Sequence, residues 1–227
     1  MKLHPSFIAA VLVAFAACAH AAAPDLDATV TYQTRQVTSG GVTRTETWQE
    51  RLIRRGDTVW TERVLPARAA ASHAQESATE HVGHKHFDFD SAARLVQRGA
   101  DGQLRLRYVD RQHRVVVSVP KAEFGAVGFD GRWDTAAHIV APAVVERMGS
   151  AGGGAKTGWR SGNTAGWQHR VQWSESLQVA LRVESQRDDG STRRVVSIVP
   201  TRAVAANALP WNALAGFGEK DYDDFMD

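Results

Sequence analysis

Apolar and polar residues alternate along much of the chain, which is the pattern of half-buried β-strands. In Leu104–Tyr108 the apolar residues would share one face of a strand and the arginines would share the other. Turn-forming runs such as Ser39-Gly40-Gly41 separate these segments. The pattern predicts a mainly β, antiparallel domain of about 10–11 short strands, spaced as in a sandwich, a barrel or a half-barrel. The expected strands include 29–37, 42–54, 58–65, 94–98, 104–108, 115–119, 171–173, 177–184 and 192–199.

Helical signals are few. Pro142–Met148 is predicted to form one or two turns, because it starts with proline at the first helical position and is followed by a glycine. Residues 211–226 are predicted to form a C-terminal helix that docks Tyr222 and Phe225 on the sheet. Two glycines weaken that helix by about 1 kcal/mol each. Two loops are also expected, a flexible histidine-containing loop at 67–83 and a Gly-rich loop at 149–166.

The first residues are typical of an export signal. Phe7–Ala17 is apolar but too short to span a bilayer, and small residues follow it up to Ala21–Ala23. We therefore expect residues 1–23 to be a signal peptide and residues 24–227 to be a single β-rich domain in the periplasm. The alternative is a lipoprotein in which Cys18 is acylated; we favour ordinary cleavage, because Phe15 is an uncommon residue at the start of a lipobox.

Composition excludes several classes of chemistry. Cys18 is the only cysteine, so cysteine-ligated zinc, iron–sulfur clusters, thiolate catalysis and c-type haem attachment are not expected in the mature domain. The formal net charge of +2 indicates no nucleic-acid partner. No apolar run after residue 23 is long enough to be a transmembrane helix.

One short segment concentrates potential metal ligands. Four of the nine histidines lie close together, three of them in the run EHVGHKHFDFD. Imidazole and carboxylate ligands without sulfur suit Zn²⁺ or Cu²⁺, and in a strand His84 and His86 would point to the same side. The other interpretation is a polar loop that leads into a strand near His84, with its imidazoles in solvent. The predicted metal ligands are His81, His84 and His86, with Glu80, Asp88 and His73 as further candidates.

Signals for catalysis are weaker. No nucleophile elbow surrounds Ser174-Glu175-Ser176, and the segment Asp130–Asp134 is best explained as a hairpin tip. We expect His113, His138 and His169 to be exposed or hydrogen-bonded structural residues rather than bases. The seven tryptophans suit either a core or the lining of a ligand cleft, and we expect most to be in the core. The chain is therefore predicted not to be an enzyme.

The last strands resemble those of a known group. In VQWSESLQVALRVESQRDDGSTRRVVSIVP, an aromatic strand end and a turn lead to Leu177, Leu181, Arg182 and Glu184, and a hairpin with Gly190 precedes the final strand. This order is similar to the LolA/LolB-like periplasmic half-barrel superfamily. The resemblance implies a strongly curved sheet wrapped around one or two helices, which binds an apolar ligand or a partner without catalysis.

Two functions are therefore expected as alternatives. The first is an exported binding or carrier protein, whose partner is an apolar small molecule, a lipid or another envelope protein. The second is a periplasmic metal-handling protein that takes Zn²⁺ or Cu²⁺ through His81, His84 and His86.

Overall fold

The described part of the chain forms one sheet of twelve strands. The computed structural model describes residues 23–65, 87–150 and 158–225. The prediction of a mainly β fold is confirmed, and each predicted strand is present, with the predicted ends at 115–119 and with shifted ends elsewhere. The strands are β1 Leu26–Val37, β2 Thr43–Arg55, β3 Thr58–Arg63, β4 Ala93–Arg98, β5 Leu104–Asp110, β6 Val115–Val119, β7 Gly149–Ser150, β8 Trp159–Thr164, β9 Trp167–Ser174, β10 Val179–Arg187, β11 Thr192–Pro200 and β12 Gly218–Asp221.

Two runs of neighbouring strands leave β1 in opposite directions. One side follows the order β2 to β6, and the other follows β11 to β7. Strand β1 pairs antiparallel with both β2 and β11, so that Val30 lies between Glu50 and Ile198. This pairing joins the two halves of the chain into one sheet. Strand β12 pairs with β6 in parallel, so the sheet exceeds the predicted 10–11 strands and is antiparallel except for this pair.

Two short helices follow β6, in agreement with the predicted one or two. Helix α1 spans Trp133–His138 and helix α2 spans Pro142–Arg147, with proline in the first turn of α2 as expected. The prediction of a hairpin tip at Asp130–Asp134 is wrong, because this turn leads into α1: the Asp130 carboxylate accepts a hydrogen bond from the backbone N–H of Arg132 at 3.0 Å. No helix among the described residues is long and apolar enough to cross a membrane.

The predicted C-terminal helix at 211–226 is wrong. A 3₁₀ turn at Pro210–Leu214 is followed by β12 and then by a 3₁₀ turn at Tyr222–Phe225. Gly216 has a φ of +81°, which lies outside the helical region. The N–H of Gly218 donates to the Arg114 carbonyl, so this N–H is used in strand pairing and not in a helix. The docking of Tyr222 is confirmed, since its side chain is buried against Phe89; the side chain of Phe225 lies outside the described residues.

The predicted Gly-rich loop at 149–166 is also corrected. Strands β7 and β8 occupy its two ends, and residues 151–157 lie outside the described residues. Strands β8 and β9 are joined by Ala165-Gly166, both with positive φ, which is the backbone of a tight hairpin turn. Alanine rarely adopts the positive φ that this turn requires, so the sequence Ala165-Gly166 did not indicate a hairpin.

Both faces of the sheet bury apolar residues. Leu52 and Ile53 are adjacent in β2 and both fully buried, because successive side chains of a strand point to opposite faces. The face of Leu52, here called the helix face, packs against α1 and Phe124. The face of Ile53, here called the tail face, packs against residues 204–217.

Candidate ligand-binding cleft

Most of the predicted metal ligands cannot be placed. Asp88 is the one that the structure describes, and its carboxylate accepts hydrogen bonds from the backbone N–H groups of Asp90 and Ser91 and from the Ser91 hydroxyl. Within the described ranges, no group of three or more His, Cys, Asp or Glu side chains could hold a metal ion. Metal binding therefore stays a prediction. The residues outside the described chain are His73, Glu80, His81, His84 and His86, and also the lipidation candidate Cys18.

The histidines expected to have structural roles each have a hydrogen-bond partner. His113 lies 2.6 Å from Asp110 at the surface. His169 lies between the hydroxyls of Ser185 and Thr164, at 2.9 and 2.8 Å. His138, by contrast, is almost fully buried in α1 and belongs to a larger arrangement.

A cleft of about 540 Å³ lies on the helix face, beside α1 and α2. Trp133 and Trp173 form aromatic parts of its wall, and Pro142 and Val145 of α2 add aliphatic surface. Charged groups of both signs are interspersed with them. The remaining lining residues are Ala23, Gly56, Arg98, Asp134, His138, Ala143, Glu146, Arg160, Glu175 and Gln178.

Arg98 fixes one wall of the cleft. Its guanidinium lies 4.6 Å from the centroid of the Trp133 ring, within the range of a cation–π contact. Two of its nitrogens donate to one oxygen of Asp57, at 2.9 and 2.6 Å. Strand β4 and the β2–β3 turn therefore hold Trp133 in place from outside the helix.

His138 contributes a neutral imidazole. Its Nδ1 lies 2.5 Å from the Gln178 carbonyl oxygen, and because a carbonyl only accepts, Nδ1 carries the proton and Nε2 keeps its lone pair. Burial lowers the pKa of His138; the hydrogen bond to Gln178 opposes this shift and the nearby Arg54 adds to it, and the pKa is lowered in sum. The ring centroid lies 6.2 Å from that of Trp173. The cleft thus holds a histidine that does not carry a charge at neutral pH.

Arg54 lies beneath the cleft and is fully buried. Its guanidinium donates to the carbonyls of Ala137 at 2.5 Å, Leu177 at 2.5 Å and Gln178 at 3.2 Å. Its Nε donates to the carbonyl of Pro24 at 2.9 Å. No carboxylate among the described residues lies within salt-bridge distance of Arg54, and burial lowers its pKa to about 10. One side chain therefore joins the start of β1, the end of α1 and the β9–β10 turn.

Strained backbone surrounds this arginine. Ile139, directly after α1, has a φ of +68°, and Gln178 has a φ of +46°. Such values cost about 1–3 kcal/mol in residues other than glycine and persist only where the surroundings enforce them. Hydrogen bonds from Arg54 to Ala137 and Gln178 provide that restraint.

Sequence reasoning missed Arg54, Arg98 and Trp133 as parts of a site. One signal was present: Arg54 has the same parity as Leu52 in β2, which places it on the same face of the strand as that apolar residue. Trp60 is fully buried, and Trp133, Trp173 and Trp211 are half-buried and pack against the core clusters, so four of the seven tryptophans belong to the core or pack against it, as expected. Guanidinium groups stack on Trp48, Trp133, Trp159 and Trp167.

No family model and no curated protein sequence matches the chain. Similar solved structures include PNGF-II, with 11% identity and a TM-score of 0.38; the match covers 89% of this chain and 32% of that one, so this chain spans about a third of its length. An uncharacterized conserved protein from Thermus thermophilus is 8% identical, with a TM-score of 0.39 and coverage of 85% and 90%. A LolA superfamily protein from Nitrosomonas europaea is 8% identical, with a TM-score of 0.30 and coverage of 83% and 92%. That last protein carries the name of the group that the closing strands resemble.

Proposed function

We propose that this protein is an exported, non-enzymatic binding or carrier protein, and that the cleft beside α1 and α2 holds the apolar part of a small molecule or lipid. The observation that carries the proposal is a cleft of about 540 Å³ with Trp133 and Trp173 in its wall. Ligand sites in proteins are commonly about 300–1,000 Å³, with aromatic walls and a few polar groups that orient the ligand.

The contacts of α1 support a curved sheet around this cleft. Trp133, at the start of α1, stacks with Arg98 of β4, and His138, at its end, lies near Trp173 of β9. Strands β4 and β9 are six positions apart in the sheet. At about 4.8 Å per position a flat sheet would separate them by roughly 29 Å, whereas a helix of six residues is about 9 Å long. A half-barrel that bends around α1 accounts for both contacts.

The polar lining suits a ligand with a polar head. His138 contributes a neutral imidazole, and the described lining residues include no serine, threonine or cysteine nucleophile. Arg98 and Arg160 line the same cleft as Asp134, Glu146 and Glu175. These groups of opposite sign would orient a polar head while the tryptophans contact an apolar body.

Export is part of the same proposal and rests on the sequence of residues 1–23. A signal peptide cleaved near Ala21–Ala23 would release the domain into the periplasm. Mass measurement of the mature N-terminus tests this, since acylation of Cys18 would add the mass of lipid chains and fix the protein to a membrane.

The ligand proposal is tested with N-phenyl-1-naphthylamine, an apolar fluorescent probe, added to the mature protein. We expect Trp133→Ala and Trp173→Ala to weaken probe binding about tenfold, because each removes one aromatic wall. Trp159→Ala is the matched control, since Trp159 lies on the tail face under Arg170 at 4.7 Å. Thermal unfolding of each variant shows whether it is folded.

Unchanged probe affinity in both cleft variants would exclude this cleft as the binding site. Native mass spectrometry of the wild-type protein complements the titration. A co-purified lipid or small molecule that is lost in Trp173→Ala supports the carrier function, whereas a co-purified envelope protein that both variants retain contradicts it.

A further inference from the structure

A second cleft, of about 520 Å³, opens on the tail face, opposite the helices. It lies among β2, the β5–β6 turn and the segment 207–217. Three arginines line it together with apolar residues of that segment, and none of its described lining residues is acidic. The lining residues are Arg51, Arg111, Arg114, Asn207, Ala208, Leu209, Pro210, Asn212, Ala213, Leu214 and Phe217.

Arg111 is held in a fixed position. Its guanidinium lies 3.0 Å from Glu62 and 5.2 Å from the centroid of the Trp60 ring. The other carboxylate oxygen of Glu62 accepts a hydrogen bond from the Trp60 indole at 3.3 Å. Because Trp60 is fully buried, this arginine is anchored to the core of the tail face.

Arg114 is held by the C-terminal segment. Its guanidinium stacks on Phe217 at 4.8 Å, and its carbonyl accepts the Gly218 N–H at 2.8 Å. In the part of the chain that the structure describes, no carboxylate lies within salt-bridge distance of Arg114 or Arg51. Glu62, which is opposite Arg51 in the β2–β3 register, is engaged by Arg111 and Trp60. Of the three arginines, Arg111 alone is paired with a described carboxylate, so Arg51 and Arg114 bring two positive charges to the cleft without such a partner.

We infer that this cleft binds the oxyanion of an amphiphilic molecule. Guanidinium groups match the geometry of phosphate and carboxylate oxygens, and a bound oxyanion would neutralise the charges that the fold leaves unbalanced. Leu209, Leu214 and Phe217 border the same cleft and would contact the attached apolar chain. The site lies on the opposite face from the proposed carrier cleft and does not depend on it.

Isothermal titration with dodecyl phosphate, below its micelle concentration, tests the inference. We expect Arg51→Gln and Arg114→Gln each to weaken binding about tenfold, because each removes one charge-assisted contact. Arg105→Gln is the matched control: Arg105 is exposed on β5, about 20 Å along the strand from Arg111 at about 3.3 Å per residue. In a Trp133→Ala background, which weakens the carrier cleft, the tenfold losses caused by Arg51→Gln and Arg114→Gln should persist, and this separates the two clefts.

Two further ligands define the chemistry. Inorganic phosphate should bind at least about tenfold more weakly than dodecyl phosphate, because it lacks the chain that contacts the apolar wall. Equal affinities for inorganic phosphate and dodecyl phosphate would support an oxyanion site but would contradict the proposed contact between the apolar wall and the dodecyl chain. The neutral detergent dodecyl maltoside should bind at least about tenfold more weakly than dodecyl phosphate, because it has the chain but lacks the oxyanion; equal affinity would overturn the role of the arginines. Wild-type affinity in both Arg51→Gln and Arg114→Gln, or an equal loss in Arg105→Gln, would overturn the site.

Discussion

Replacement of Arg54 by methionine tests how the helix face is held together. Methionine keeps the unbranched apolar stem of the side chain but removes the guanidinium, which donates to the carbonyls of Pro24, Ala137, Leu177 and Gln178. Each buried carbonyl that loses its donor lowers the unfolding free energy by about 1–3 kcal/mol. Because some of the four carbonyls would find other donors, we expect a total cost of roughly 4–8 kcal/mol. The segments that they belong to would also lose their common anchor.

The loss is partly offset, because methionine has no charge to desolvate. Burial lowers the pKa of Arg54 from 12.5 to about 10, which is equivalent to about 3 kcal/mol of destabilisation of the charged form. Subtracting this from the cost of the orphaned carbonyls leaves a net loss of roughly 3 kcal/mol. For a domain of this size we expect the melting temperature to fall by roughly 6–12 °C.

Urea unfolding followed by tryptophan fluorescence measures the difference. Arg105→Met is the matched control, since Arg105 is exposed and its replacement should change the unfolding free energy by less than about 0.5 kcal/mol. Arg54→Lys should lie between wild type and Arg54→Met, because a single ammonium cannot reach all the carbonyls in a planar fork. If Arg54→Met is as stable as wild type, the guanidinium is not what joins these segments.

Three further predictions concern other parts of the chain. Ala165→Asn should stabilise the domain by about 0.5–1 kcal/mol in the same urea assay, because Ala165 has a φ of +43° in a tight turn that asparagine tolerates better; a lower unfolding free energy would contradict this. Burial and the neighbouring Glu50 raise the pKa of Tyr32, so above about pH 10 the unfolded chain releases a proton that the folded chain keeps, and stability falls. Tyr32→Phe should flatten that fall between pH 9.5 and 11, approximately, and an unchanged slope would refute the assignment. If the histidine run binds metal, titrated Zn²⁺ or Cu²⁺ should bind the mature protein with about 1:1 stoichiometry and lose affinity at least about tenfold in the His84→Ala/His86→Ala double variant; binding no tighter than to a scrambled histidine peptide would end that hypothesis.

Local patterns predicted the strands well and the site poorly. The alternation in Leu104–Tyr108 reports which side of one strand is apolar, and that information is contained in neighbouring residues. The carrier cleft, by contrast, is lined by residues from positions as far apart as Gly56, Trp133 and Trp173. Nothing in the sequence around any one of these positions shows that they converge, because convergence depends on the order of strands in the sheet.

Arginine shows the same limit most clearly. Parity places Arg54 on the same face of β2 as Leu52. A buried arginine is stable only where acceptors surround it, and the acceptors of Arg54 come from the chain before β1, from α1 and from the β9–β10 turn. In the sequence Arg111 and Arg114 look like ordinary turn residues. Their contacts with the rings of Trp60 and Phe217 are seen only in the tertiary structure.

The sequence by itself determined that this is a mainly β chain with few helices, that its only cysteine, Cys18, allows no disulfide within the chain, and that its potential metal ligands are concentrated in one segment. These properties depend on composition and on spacing over a few residues. Only the tertiary structure decided that β1 joins β11, that 218–221 forms a strand parallel to β6, and that two clefts lie on opposite faces. The reason is that strand pairing and burial depend on contacts between distant segments, whose free energy no local pattern records.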